Sequence, residues 1–223
     1  AKVALVENKK LGGTCVNAGC VPKKVTWLAA NVAEAVKFGQ KRYGFEGSGN
    51  ARLDWSVLKG KRDAYIKRLN NIYQENLAKD KIDFFNGNAR LSATKGQVLV
   101  DANILQATNI LIATGSSPVF AKTVPGWEHG VSSDGFFELD KHPKRVAIIG
   151  SGYIAVELAG IFRAFGSDVS LWCRQDRIMT HFDEEIGLAL QDEMIRQGII
   201  IHRFSCVTEI KKDSDSGLLT IEY

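Results

Sequence analysis

The fold is decided by residues 145–173, which read RVAIIGSGYIAVELAGIFRAFGSDVSLWC. The apolar run over 145–149 predicts a buried strand, and 168–173 predicts a second one. Between them, 153–165 has the apolar spacing of a helix. A strand–turn–helix–strand unit of this kind implies a parallel sheet with covered faces, so the sequence predicts an α/β fold.

The turn inside this unit has the pattern G-x-G-x-x-A, which predicts a dinucleotide site. Gly150 allows the tight turn, Gly152 lets the backbone approach a pyrophosphate, and Ala155 lets the helix pack closely on the strand. The N-terminus of the following helix offers N–H groups to the phosphates. A turn used only for packing is the alternative, and the complete strand–turn–helix context argues against it.

The residues after the second strand indicate which dinucleotide binds. An acid there would bind the ribose 2′-hydroxyl of NAD, whereas an arginine accommodates the 2′-phosphate of NADP. Here Arg174 follows the strand and Arg177 lies three residues further on. The sequence therefore favours NADP, and the alternative is that both arginines are ordinary surface residues.

Hydrophobic patterns predict further elements around this unit. Residues 1–7 read as a buried strand that ends in an acid. A helix runs from Val21 with Gly39 as its end, and a second long helix is capped by Asp54 or Ser56. The other predicted elements are a helix at 183–197 and strands at 82–85, 97–100, 109–113, 199–203, 207–211 and 218–223.

The composition is that of an ordinary globular protein. The chain has 223 residues, 45% hydrophobic and 24% charged, enough for one large or two modest domains. A net charge of +4 without a long basic run gives no reason to expect a nucleic-acid partner. No apolar run approaches the ~18 residues of a membrane span and no signal peptide opens the chain, so we expect no membrane partner and a cytoplasmic location, with an organellar form left open.

Glu7 ends the first predicted strand and suggests a second nucleotide site. In such folds an acid about 20 residues after a glycine fingerprint holds an adenosine ribose. Too few residues precede Glu7 to hold that fingerprint. We therefore expect the chain to begin inside a first nucleotide-binding domain.

Cys15 and Cys20 are the candidate reactive residues. Five residues of ideal helix rise about 7.5 Å, whereas a disulfide tolerates Cα separations of about 4.4–6.8 Å. A bond between them would need a distorted turn, which Gly19 could supply. A thiol near a helix N-terminus and beside Lys23 and Lys24 should have a lowered pKa. A redox-active pair is favoured, and a structural or metal-linked pair is the alternative.

Several stretches resemble the pyridine nucleotide–disulfide oxidoreductases. GGTCVNAGCVPKK at 12–24 is similar to that family's redox-disulfide motif, and IATG at 112–115 and SDGFF at 133–137 match in the expected order. The resemblance covers essentially the whole chain. It implies two Rossmann-like FAD- and NAD(P)-binding domains, both incomplete: 1–115 as part of the FAD domain, 116–140 as a connection and 141–223 as part of the NADPH domain.

The resemblance also implies an activity. The two lysines after Pro22 and the stretch 62–77 are similar to members that reduce glutathione disulfide. The implied protein is a homodimeric flavoprotein that uses NADPH to reduce glutathione disulfide through a Cys15–Cys20 disulfide. The alternatives are a sister reductase acting on trypanothione, thioredoxin or a related disulfide, or a non-catalytic nucleotide-binding module.

The same resemblance implies a role for each site residue. Cys15 would attack the substrate, Cys20 would stay beside the flavin, and Lys23 would pair with Glu157 near the flavin. Tyr73 and Asn76 would line the glutathione site. Residues implied at the FAD are Glu7, Gly13, Thr14, Lys23, Ala113, Thr114 and Gly115. Residues implied at the NADPH are Gly150, Gly152, Tyr153 (as a gate over the nicotinamide), Ile154, Ala155, Glu157, Arg174 and Arg177.

Two departures from the family pattern limit these expectations. The family has a second arginine six residues after the position of Arg174, and Thr180 stands there. Either Arg177 replaces it or selectivity for NADP is weakened. The domain that supplies a His–Glu acid/base pair is also missing, so we expect these 223 residues alone to bind FAD poorly and to turn over nothing.

Overall fold

The structure is a computed structural model that describes residues 1–44 and 52–223, without the side chains of residues 40 and 41. The chain forms two compact units. The first consists of Ala1–Lys23 and Gly60–Ser117, and the second of Lys24–Lys59 and Pro118–Tyr223. Each contains a parallel pair of strands together with helices, which confirms the predicted α/β class.

The first unit contains two sheets within the described residues. Strands β1 and β2 are parallel, whereas β3, β4 and β5 form an antiparallel meander. The register of the parallel pair runs from Ala4 opposite Asp83 to Glu7 opposite Asn86. The strands are β1 Ala4–Glu7, β2 Asp83–Asn86, β3 Ala89–Leu91, β4 Gln97–Val100 and β5 Asn103–Gln106.

The first unit contains α1 (Gly13–Ala18), the start of α2 (Cys20–Tyr43) and most of α3 (Trp55–Lys79). Val16 of α1 and Ile66 of α3 are buried and belong to its core. These apolar contacts fix the helices because a six-residue helix such as α1 has little stability of its own.

The second unit contains the predicted strand–turn–helix–strand unit. Strands β6, β7 and β8 form a parallel sheet, and β9 pairs with β10 in an antiparallel hairpin. A short 3-10 helix at Trp127–His129 precedes them. The remaining elements are α4 Ser133–Glu138, β6 Arg145–Ile149, α5 Tyr153–Ala164, β7 Asp168–Trp172, α6 Glu184–Arg196, β8 Ile200–His202, β9 Glu209–Lys212 and β10 Leu219–Glu222.

Aromatic side chains fill much of the core of the second unit. The ring of Phe136 on α4 meets that of Phe162 on α5 edge to face at 5.1 Å, and that of Trp55 at 6.2 Å. The indole Nε1 of Trp55 donates to the carbonyl of Leu139 at 2.7 Å. These contacts hold the start of α3 against α4 within this unit.

The structure confirms the position of most predicted elements, and it identifies the cap of α3. The predicted burial of the strands at 1–7 and 145–149 is wrong: β1 and β6 contain no buried residue, since each pairs with a neighbouring strand on one side only in the described sheets. The Asp54 carboxylate Oδ1 accepts a hydrogen bond from the backbone N–H of Val57 at 3.0 Å. Asp54, rather than Ser56, is therefore the capping residue, since it satisfies an N–H of the first turn.

Two element predictions are wrong. Helix α2 does not end at Gly39 but continues to Tyr43, because one glycine costs a helix only about 1 kcal/mol and its neighbours support the helix. Residues 109–113 pair with no strand in the described parts of the chain, and Leu111 is 90% exposed. An apolar run forms a strand only where a neighbouring strand accepts its hydrogen bonds.

Five short elements were not predicted: helix α1, the 3-10 helix at Trp127–His129, strands β3 and β5, and helix α4. Strands β3 and β5 are mostly exposed and lack a continuous apolar face. Helix α4 has a cap that the sequence displays, since the Ser132 Oγ accepts from the Gly135 N–H at 3.2 Å. Among the described residues, no helix is both long and apolar enough to cross a bilayer.

Candidate functional sites in the two units

The thiol pair of the first unit is built around a break between two helices. Helix α1 ends at Ala18, Gly19 leaves the helical conformation with φ −147° and ψ −119°, and α2 begins at Cys20. A Cβ atom on Gly19 would lie 2.9 Å from the Thr14 carbonyl oxygen and 3.3 Å from the Cys15 Cα. Glycine is required by this close approach, and the predicted distortion at Gly19 is confirmed.

The break brings the two cysteines together. Cys15 and Cys20 are free and exposed, and their side chains hydrogen-bond to each other. This hydrogen bond, assisted by partial desolvation, raises the pKa of Cys15. The predicted lowering of the pKa is therefore wrong for Cys15.

The helix N-terminus does act on Cys15, but more weakly. Hydrogen bonds from the backbone N–H groups of Cys20 and Val21 lower the pKa of Cys15, and the thiol–thiol hydrogen bond outweighs them. The ammonium of Lys24 lies 3.7 Å from the ring centre of Trp27, in a cation–π contact. The sulfur of Cys15 thus faces both a second thiol and the N–H groups that would stabilise its thiolate.

Most residues implied at a flavin nucleotide are exposed in the first unit, whereas Glu7 and Lys23 are half-buried. Glu7 ends β1, and its Oε1 accepts from the Lys9 N–H at 2.9 Å. Gly13 has a φ of +59°, and a Cβ there would meet nothing within 4 Å. Thr14 and residues 113–115 are exposed. Open backbone and exposed polar groups of this kind fit a dinucleotide.

The implied substrate residues lie on α3, and two asparagines that the sequence did not single out link that helix to the thiol loop. Tyr73 and Asn76 are exposed. Asn70, less than one turn before Tyr73, donates from Nδ2 to the Leu11 carbonyl at 2.7 Å and to the Asn17 Oδ1 at 3.0 Å. In the sequence, the signal for this link is that Asn70 lies on the apolar face of the predicted helix, four residues after Ile66.

The glycine loop of the second unit has the geometry that a bound phosphate requires. Gly150 has a φ of +131°, and its N–H donates to the Trp172 carbonyl at 3.0 Å. Gly152 precedes the first turn of α5. A Cβ on either glycine would meet nothing within 4 Å. The loop therefore leaves open space in front of the N-terminus of α5, which fits a pyrophosphate.

Apart from the two arginines after β7, the remaining residues implied at the NADPH lie on α5. Tyr153 and Ile154 in its first turn are exposed, whereas Ala155 and Glu157 are half-buried. The small side chain of Ala155 suits the close packing of α5 on the sheet. Lys23 and Glu157 belong to different units, and their pairing stays a prediction.

The two arginines after β7 have different environments. Arg174 is exposed directly after Cys173. Arg177 is half-buried, and its Nη1 donates to the carbonyl of Met179 at 3.2 Å and to that of Ile178 at 3.5 Å. Arg177 therefore helps to fold the loop, and Arg174 is the better placed of the two to meet an anion.

No group of three metal-ligating side chains occurs in the part of the chain that the structure describes.

The chain is similar to known proteins along almost its whole length. The sequence pattern of the family described as "Pyridine nucleotide-disulphide oxidoreductase" matches residues 1–222. The proteins named glutathione reductase of Schizosaccharomyces pombe (strain 972 / ATCC 24843) and Yarrowia lipolytica (strain CLIB 122 / E 150) are each 44% identical to the chain, over 99% and 100% of its length. The chain spans about half the length of these curated relatives, 49% and 50%.

Proposed function

Because the chain belongs to the pyridine nucleotide-disulphide oxidoreductase family, we propose that it carries the thiol pair and the coenzyme site of an NADPH-dependent flavoprotein that reduces glutathione disulfide. The observation that carries the proposal is the pair of exposed, hydrogen-bonded thiols at Cys15 and Cys20. The two relatives named glutathione reductase support the choice of substrate.

Each cofactor has residues that would hold it. For NADPH these are the open loop and first turn at 150–155 and the exposed Arg174, whose guanidinium suits the 2′-phosphate. For FAD they are Glu7, Gly13, Thr14 and residues 113–115. When bound, FAD supplies a route for two electrons from NADPH to the disulfide.

The thiols perform the exchange with the substrate. The Cys15 thiolate attacks one sulfur of glutathione disulfide, so that bond breaks and one glutathione leaves as a thiolate and takes up a proton. The Cys20 thiolate then attacks the Cys15 sulfur of the mixed disulfide, which releases the second glutathione and closes the Cys15–Cys20 bond. Regeneration of the dithiol takes two electrons and two protons. NADPH supplies both electrons and one proton, and solvent supplies the other proton.

The chain's own groups favour each of these steps. The backbone N–H groups of Cys20 and Val21 stabilise negative charge on the Cys15 sulfur as it forms. Exposed Tyr73 and Asn76 on α3 offer an aromatic ring and an amide to a peptide substrate. The family resemblance also motivates a homodimer of the full-length protein in the cytoplasm, with an organellar form left open. A monomer mass of the full-length protein by light scattering would contradict the homodimer.

The proposal is tested by NADPH oxidation with the holoenzyme. We expect glutathione disulfide to start NADPH oxidation, with two glutathione thiols formed for each NADPH consumed. Cys15→Ser and Cys20→Ser should each reduce turnover to background, since each removes one reacting sulfur. Cys206→Ser is the matched control, because Cys206 is also an exposed free thiol. Turnover with lipoamide or thioredoxin and none with glutathione disulfide would contradict the proposed substrate.

The same assay tests the choice of coenzyme. Arg174→Ala should raise the KM for NADPH by about 10- to 100-fold, the equivalent of one charge-assisted hydrogen bond of about 1.5–3 kcal/mol, and leave the KM for NADH unchanged. Arg177→Ala is the comparison, and we expect it to lower thermal stability instead, because Arg177 bonds to its own loop. Equal effects of Arg174→Ala on both coenzymes would argue against a 2′-phosphate contact.

A further inference from the structure

Two asparagine amides connect helix α3 to the loop in front of the thiol pair. Asn70 donates from Nδ2 to the Leu11 carbonyl at 2.7 Å and to the Asn17 Oδ1 at 3.0 Å. Asn17 in turn donates from its own Nδ2 to the Leu11 carbonyl at 3.1 Å and to the Gly13 carbonyl at 2.9 Å. The two side chains thus form a continuous hydrogen-bonded chain from α3 to the first turn of α1.

The loop that receives these bonds contains two adjacent glycines. Gly12 and Gly13 both have positive φ, +98° and +59°, and neither contributes a side chain. Helix α1 has six residues and no side chain hydrogen-bonded at its N-cap. A helix of this length is not stable by itself, so its position depends on contacts from outside, and the two amides provide such contacts.

The position of α1 determines whether the two thiols can meet. Cys15 lies on α1, and Cys20 begins α2 on the other side of Gly19. Asn17 lies between the two cysteines, two residues after the first and three before the second. A shift of α1 relative to α2 would separate the sulfurs, because the only covalent connection between the helices is the break at Gly19.

Asn70 is the polar end of a buried stripe on α3. Arg62, Ile66 and Asn70 follow each other at a spacing of four residues, so they share one helix face. Arg62 and Ile66 are buried, at 2% and 9% exposure, and Asn70 is half-buried. Tyr73, a proposed substrate residue, lies three residues further along the same helix. One helix therefore contacts both the thiol loop and, in the proposed function, the substrate.

We propose that Asn70 is a positioning residue for the thiol pair: with Asn17 it fixes α1 so that Cys15 and Cys20 stay within reach, which favours the disulfide over the dithiol. The proposal rests on the proposed function in treating this pair as redox-active. The equilibrium concerned is dithiol plus glutathione disulfide giving the Cys15–Cys20 disulfide plus two glutathione thiols, in which the two electrons pass from the protein to glutathione. Fixed thiols have a high effective concentration for one another, which moves this equilibrium toward the protein disulfide.

The test compares Asn70→Ala with Asn71→Ala in the holoenzyme. Asn71 is the same residue type on the same helix and is exposed. Each protein is equilibrated in buffers of graded ratios of glutathione disulfide to glutathione and quenched with an alkylating reagent. The fraction of Cys15–Cys20 disulfide is then measured by peptide mass spectrometry. We expect Asn70→Ala to shift the equilibrium constant toward the dithiol by about three- to tenfold, up to about 30 mV in potential, and Asn71→Ala to leave it unchanged.

Two further variants separate positioning from general stability. Asn70→Asp keeps the shape of the side chain but removes the N–H donors, so it should shift the equilibrium as Asn70→Ala does. Asn17→Ala should give a similar shift, and the double variant with Asn70→Ala no more than either alone, since both remove one network. A wild-type equilibrium constant in Asn70→Ala and Asn70→Asp would overturn the proposal, including where thermal stability falls. This equilibrium needs neither NADPH nor turnover. A holoenzyme that shows no NADPH oxidation with glutathione disulfide would therefore contradict the proposed function and leave this test intact.

Discussion

Opposing interactions set the protonation of Cys15. The hydrogen bond with the Cys20 thiol raises the pKa of Cys15 and desolvation adds to it, whereas the N–H groups of Cys20 and Val21 lower it. The upward contributions are larger. Because the thiolate is the nucleophile, we expect Cys15 of the dithiol form to react more slowly at neutral pH than a thiol whose pKa is lowered by a helix N-terminus.

Removal of the Cys20 thiol should therefore activate Cys15. Cys20→Ala deletes the side-chain hydrogen bond and keeps both backbone N–H groups, so we expect the pKa of Cys15 to fall. The fully reduced variant should be alkylated at Cys15 faster than the wild type at neutral pH, with the midpoint of its pH–rate profile at lower pH. Alkylation by iodoacetamide, followed on the Cys15 peptide by mass spectrometry, measures the profile.

Cys20→Ser serves as the control for this measurement. A serine hydroxyl still accepts a hydrogen bond from the Cys15 thiol, so this variant should keep more of the upward shift than the alanine variant does. An unchanged profile in Cys20→Ala, or one moved to higher pH, would show that the Cys20 thiol is not what raises the pKa of Cys15.

At this scale the sequence predicts residue types better than their environments. The spacing of Cys15 and Cys20 and the glycine between them predicted both the pair and its distorted turn. The predicted direction of the shift in the pKa of Cys15 was wrong because the contact between the two thiols depends on how α1 and α2 are placed. The spacing of the cysteines in the sequence gives no information on that placement. Likewise, Arg174 and Arg177 are equivalent in the sequence, and only the carbonyls that surround Arg177 distinguish them.

At the scale of elements, the proposed thiol chemistry depends on the break between α1 and α2. Gly19→Ala would place a Cβ 2.9 Å from the Thr14 carbonyl oxygen and close to the Cys15 Cα, so the backbone of α1 must move. We expect the variant to form the Cys15–Cys20 disulfide more slowly than the wild type. The rate of disulfide formation with glutathione disulfide, measured on reduced protein, tests this.

Gly60→Ala is the matched control on α3. A Cβ on Gly60 meets nothing within 4 Å, and alanine in a helix interior is favoured over glycine by about 0.8–1.0 kcal/mol. This variant should gain stability in urea unfolding and keep the wild-type rate of disulfide formation. A Gly19→Ala variant that forms the disulfide as fast as the wild type would contradict the role given to the break.

Element predictions succeeded where periodicity and caps agree. Strand β6 has the predicted bounds, Arg145–Ile149. Helix α6 starts after Asp183, whose carboxylate accepts from the Ile186 N–H at 3.3 Å. The failures are segments whose state depends on distant partners. Residues 109–113 are mostly apolar but have no neighbouring strand within residues 1–44 and 52–223. Strand β3 is exposed, yet it is held by its pairing with β4.

At the scale of the whole molecule, each of the two compact units is made of two separate stretches of the chain, and helices α2 and α3 are each divided between the units. Residues 24–59 of α2 and α3 belong to the second unit, although they lie between stretches of the first. The sequence predicted one connection, at 116–140, and not the exchange at 24–59, since a sequence motif does not report which helix packs on which sheet. The assignment of 1–115 and 141–223 to FAD and NADPH domains stays a prediction.

The central claim is that NADPH delivers electrons to a Cys15–Cys20 disulfide. Its most direct test is an alkylation map of the oxidised holoenzyme, recorded anaerobically before and after one equivalent of NADPH. We predict that Cys15 and Cys20 are protected before NADPH, alkylated after it, and protected again once glutathione disulfide is added, while exposed Cys206 is alkylated throughout. Equal labelling of Cys15 and Cys20 with and without NADPH would contradict the claim.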